Sequence, residues 1–208
     1  MRFFSTVPFR FVAALLALAV SIVAFSSSAA AQRRDFMTEE EIEIVRDAQD
    51  IVTRIEVLTR MADRRFAIIG IDVKGWTQAQ KDSEVWGGPP KGTHLELLSD
   101  IKKLLQKAVD DIDNLASHPD SAPIREKGDK QAKKDPERFG NAVRSLGRAA
   151  VRYLAPLKME LDKTQVEMEK GPILDSIDLC DQIIEAVGKL PPEPTKEEKK
   201  KTSKDDGR

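Results

Sequence analysis

Residues 93–117 read THLELLSDIKKLLQKAVDDIDNLAS, and the spacing within that run decides the fold. Leu97, Leu98, Ile101, Leu104, Leu105, Ala108, Ile112 and Leu115 recur at three- and four-residue steps, the period of one helix face, with charged residues filling the other positions. Thr93 followed by Glu96 is a capping box, in which each side chain satisfies a backbone N–H that a helix start leaves unpaired. The helix ends near Ser117, because Pro119 cannot continue it.

The same grammar extends in both directions. Upstream, Thr38 and Glu41 form a second capping box, with Met37 and Ile42 placed as a hydrophobic staple. From Ile44 through Ile51, Ile55, Leu58, Ala62 and Phe66 to Ile69, one apolar stripe predicts a single helix of about nine turns. Gly70 is its stop. Downstream, Asp135 and Pro136 read as N-cap and first-turn residue of a third helix whose inward face carries Phe139, Ala142, Val143, Leu146, Ala149, Ala150, Tyr153 and Leu157. Pro156 predicts a kink in it. Helical spacing resumes from Leu161 to Met168 and continues with Ile173, Ile177, Cys180, Ile184 and Val187. The pattern leaves open whether Gly171–Pro172 kinks one helix or separates two.

These segments predict an all-α, antiparallel four-helix-bundle-like domain over residues 38–190, with a kinked third helix. Composition agrees, since a third of the 208 residues are charged and only 5% are aromatic, whereas strand-rich domains recruit more aromatic and β-branched side chains.

The ends carry different signals. Arg2 and Arg10 precede an uncharged run from Phe11 to Phe25, and Ala29 and Ala31 supply small residues for cleavage, so residues 1–31 read as a secretory signal peptide. An uncleaved membrane anchor is the alternative, because the uncharged stretch extends to Ala31. The expected location is periplasmic or secreted, with residues 32–37 as a short linker and no transmembrane segment after cleavage. Loss of Arg2 and Arg10 takes the formal net charge from −1 to −3, which argues against nucleic acid as a partner. Residues 191–208 open with Pro191 and Pro192, carry many lysines and glutamates, and predict a disordered tail.

Catalytic patterns are missing. His94 and His118 lie far apart with no His at four-residue spacing, so zincin and di-iron signatures fail. One cysteine cannot attach haem or close an internal disulfide. Gly70 and Gly75 are spaced like a phosphate-binding loop, but Trp76 stands where its lysine belongs. Asp111 and Asp113 lack the glycine and ligands of a calcium loop. No metal, cofactor or catalytic residue is predicted. His94 reads as a surface residue beside a cap, His118 as a complement to a helix dipole, and Cys180, sharing a face with Ile177 and Ile184, as a buried thiol.

Two features remain as candidate binding elements. The connector Gly70–Gly92 holds both tryptophans, Trp76 and Trp86, and then Lys91 beside a helix N-terminus. Its aromatics either meet a ligand or fold back to seal the helices. Arg144, Arg148 and Arg152 form a guanidinium stripe at four-residue steps. It lies where charge is polarised, +6 over residues 125–158 and −6 over residues 159–185. The stripe either pairs inside the domain, with Asp175, Asp178, Asp181 or acids near Glu43, or meets a partner of opposite charge. The expected function is a non-catalytic binding or structural module whose partner is a protein or an anionic envelope component. Alternatives are a carrier holding a small apolar ligand beside Ala142, Gly147, Ala149 and Ala150, and an enzyme of unrecognised type using Asp110 or Asp113 as base.

Overall fold

The structure, a computed structural model, describes residues 34–77, 84–118 and 137–192. The chain divides at Asp35 into two units, and the described helices all belong to the second, which begins at Phe36. The expected signal peptide, most of the tail, and the Asp135–Pro136 helix start lie outside the described residues.

All regular structure in the described residues is helical: α1 (Glu39–Asp47), α2 (Ile51–Ile68), α3 (His94–Ser117), α4 (Arg138–Lys163) and α5 (Glu167–Gly188), with a 3₁₀ turn at Glu84–Trp86. The arrangement is bundle-like. Helix α2 packs on α3 and α4, α5 packs on the same two, and α3 also meets α4. Their buried faces share one core, in which Ile55, Met61, Phe66, Ile101, Ala150, Tyr153, Leu157 and Ile173 are wholly enclosed.

Both capping boxes form as the sequence requires, Thr38 with Glu41 and Thr93 with Glu96. Helix α2 ends in a Schellman motif: Gly70 takes φ +79°, Ile71 N–H donates to the Phe66 carbonyl at 2.9 Å, and Gly70 N–H to that of Ala67 at 3.3 Å.

Two boundaries and one burial differ from the sequence reading. The long first stripe is two helices, because the Asp50 carboxylate accepts from Thr53 N–H at 2.9 Å and caps a new start. Arg54 Nε holds the Ala48 carbonyl at 2.8 Å across the break. Second, the α4–α5 break falls at Thr164–Val166, where Thr164 Oγ1 accepts from Val166 N–H. Helix α5 runs on through Gly171 and Pro172. Third, Phe139, expected to face inward, is 38% exposed near the start of α4.

Candidate functional site

Helix α4 positions the arginines, and the structure gives each a different task. Arg152 turns inward. Its guanidinium lies 3.1 Å from both oxygens of the buried Asp63 on α2, donates to the Val73 carbonyl at 2.9 Å, and covers the Tyr153 ring. Burial works against its charge, but the Asp63 hydrogen bond and the neighbouring negative groups outweigh that cost and raise its pKa. Tyr153, fully buried, places its hydroxyl 2.6 Å from Asp63 Oδ1 and 2.9 Å from the Thr59 carbonyl. Desolvation first, and then the Asp63 carboxylate, push the phenol well above its usual value.

Arg152 thus pairs with Asp63 on α2 and with none of the acids expected for it. Asp175 is bound by Lys102 at 2.6 Å, and Glu43 by Arg46 on its own helix. Arg148 is exposed and has no acid within ion-pair distance among the described residues. Arg144 donates through Nη2 to the Pro191 carbonyl at 2.6 Å, across the end of α5.

Between these two helices runs a groove of about 520 Å³, lined by Arg144, Gly147, Arg148 and Val151 of α4 and Ile184 and Val187 of α5. Gly147 makes the close approach possible, since a Cβ there would overlap Val187 Cγ2. Ala142, Ala149 and Ala150 are all buried, so the small residues of α4 are used where helices meet. On the outer face of α4, Val151 (62% exposed), Ala155 and Met159 (57%) continue as an uncovered strip.

The tryptophan connector folds back. Trp86 is buried, and its ring meets Trp76 edge-to-face at 5.5 Å. Arg64 of α2 stacks over Trp76 and donates to the carbonyls of Trp86, Gly87 and Gly88 at 2.9, 3.0 and 2.6 Å. Gly75 sits directly on the Asp63–Arg152 pair, where a Cβ would overlap Arg152 Nη1. The connector and Arg152, independent in the sequence, thus meet at Asp63. Lys91 is exposed beside the start of α3, and Trp76 is the more accessible indole.

Sequence reasoning missed the most enclosed charges. Glu41, fully buried, accepts from Arg65 at 2.8 and 2.6 Å, from Arg64 at 3.1 Å and from Thr38 N–H at 3.0 Å. Arg65 also reaches the Phe36 and Met61 carbonyls, and its Nε lies 3.9 Å from Asp100. A signal exists in the sequence: Leu58, Met61, Arg65 and Ile69 fall on one face, which puts Arg65 inside the apolar stripe. His94 is likewise more than a surface residue. Its Nδ1 lies 3.0 Å from Glu169, and its Nε2 3.7 Å from Glu160, tying the start of α3 to the α4–α5 turn. His118 stands at the C-cap of α3, its Nδ1 3.2 Å from the Asn114 carbonyl. Cys180 is buried, and desolvation, then the Asp181 charge, lift its thiol to about 12.

Among the described residues, no group of three or more His, Cys, Asp or Glu is placed to hold a metal ion, and no helix is long and apolar enough to cross a membrane. Comparison with protein-family models, curated proteins and solved structures finds no match to this chain.

Proposed function

We propose that this chain is an exported, non-catalytic interaction module that docks on an anionic surface of the cell envelope through the outer face of α4. In this reading residues 1–31 are removed on export, and residues 38–190 form an antiparallel four-helix bundle that presents α4. The single observation that carries the docking face is Arg148: exposed, with no acid in ion-pair distance among the described residues, and one turn from Arg144 beside the uncovered Val151–Ala155–Met159 strip. Basic side chains flanking exposed apolar ones match a surface that is negatively charged and apolar beneath its head groups. Arg152 does not belong to this face, because Asp63 and the Val73 carbonyl occupy it.

The reading is tested by co-sedimentation with vesicles containing phosphatidylglycerol, against vesicles of phosphatidylcholine alone, across a salt series. Binding to the anionic vesicles that weakens with salt is expected. The pair of substitutions Arg144→Gln and Arg148→Gln lowers it by roughly thirtyfold, at about 1 kcal/mol per basic residue near the surface. Equal binding to both vesicle types, or none to either, overturns the proposal. Export is checked separately by sequencing the N-terminus of protein recovered from the envelope fraction, where Gln32 is the expected first residue.

A further inference from the structure

We propose that α1 is an exchangeable element: the hinge Ala48–Asp50 straightens, α1 and α2 become one helix, and α1 sets its Glu41 on Arg64 and Arg65 of a second copy of the chain. The product is a swapped dimer in which each copy completes the other's buried ion cluster. The α4 face takes no part in it.

The hinge is compatible with two conformations. In the broken form Ala48 (φ −74°, ψ 78°) is the centre of an inverse γ-turn, closed by Gln49 N–H donating to the Asp47 carbonyl at 2.9 Å. The Asp50 cap and the Arg54 bond to the Ala48 carbonyl hold that form. A straight helix forfeits those local bonds and gains others. At the start of α2 the N–H groups of Asp50, Ile51 and Val52 have no intrahelical acceptor, and straightening supplies one to each at Arg46, Asp47 and Ala48. No glycine or proline stands between α1 and α2 to oppose a continuous helix. Ile44, Ala48, Ile51, Ile55, Leu58 and Ala62 alternate steps of four and three residues, so the apolar stripe keeps one face across the straightened hinge.

The way α1 is attached selects exchange over simple detachment. Glu41 is the only residue of α1 that is buried; Ile44 and Val45 are partly covered. Its carboxylate accepts from Arg64 at 3.1 Å and from Arg65 at 2.8 and 2.6 Å. A chain that opens alone strands two enclosed guanidinium groups without their counter-ion, which is strongly unfavourable. Two chains that open together restore the same bonds across the dimer, and only the hinge differs between the closed monomer and the swapped pair.

The test is sedimentation velocity of the full chain from micromolar to millimolar concentration. A dimer fraction that grows with concentration is expected. Ile51→Pro places proline at the first position of α2, which tolerates it in the broken form, but inside the helix once the hinge is straight. With two hinges per dimer, association weakens by roughly four orders of magnitude. A Gly-Gly insertion between Gln49 and Asp50 keeps Ile51 and the cap, lengthens the hinge and throws a straight helix out of phase. It is expected to leave the chain monomeric, and it decides the matter should Ile51→Pro fail to fold. Monomer throughout the range in the wild type overturns exchange. A dimer that survives in a folded hinge variant also overturns it, because another surface then joins the copies.

Discussion

Glu41 is the residue on which two buried arginines depend. It answers two arginines and a backbone N–H with one carboxylate, in a place water does not reach. Removing it leaves Arg64 and Arg65 charged, enclosed and short of a counter-ion, so Glu41→Ala is expected to destabilise by about 3–5 kcal/mol. Urea unfolding measures this, and a loss below about 1 kcal/mol would show that the arginines find other partners. Tyr153, the single tyrosine, supplies a pH dependence. Folding raises its pKa above the ordinary 10.0, so the neutral form is the one the fold favours. The corresponding stability is complete below pH 10 and drains away as pH climbs towards the folded value. Wild-type unfolding midpoints should fall between about pH 10 and 11 more steeply than those of Tyr153→Phe. At neutral pH that variant is weaker by about 1–3 kcal/mol, because Asp63 loses a hydrogen-bond donor. Cys180, with its thiol lifted to about 12, should resist a thiol reagent in the native state and react when the chain unfolds.

At the level of helices and loops, the break between α1 and α2 and the contact between α4 and α5 each hang on one residue. Asp50→Ala removes the cap on α2 and should cost about 1 kcal/mol without altering the fold. Gly147→Ala drives a methyl into Val187, for a loss of about 1–3 kcal/mol. Val187→Ala in the same chain should return part of it, and a double-mutant cycle on unfolding midpoints reads the coupling. Apolar periodicity is blind to both features. A stripe continues across a capped break whenever the next helix keeps the phase, as Ile44, Ile51 and Ile55 do here. Likewise, the missing side chain of Gly147 registers only once a second helix lies against it.

For the whole molecule, the buried pairs act as ties between distant parts of the chain. Arg64 joins α1 to the tryptophan connector through Glu41 and the Trp86 carbonyl, and Arg152 joins α4 to α2 and to the same connector. Unfolding followed by tryptophan fluorescence and by circular dichroism should therefore give coincident transitions; an earlier fluorescence change would mean that the connector detaches alone. In the folded state iodide should quench Trp76 and spare Trp86, so Trp76→Phe removes the quenchable emission.

Helical class, both capping boxes, the stop at Gly70 and most core positions were legible in the order of residues, because they depend on interactions within a few positions along the chain. Candidate arginines and tryptophans were legible as residue types, but not their assignments. Whether Arg152 faces a partner or Asp63, whether Trp86 meets solvent or the core, and whether Glu41 is a cap or the counter-ion of two buried arginines all turn on which helix comes to lie alongside. Those contacts join residues 22 to 89 positions apart. Local sequence carries no record of them, since the free energy of a charge or an indole is set by what surrounds it once the helices have packed.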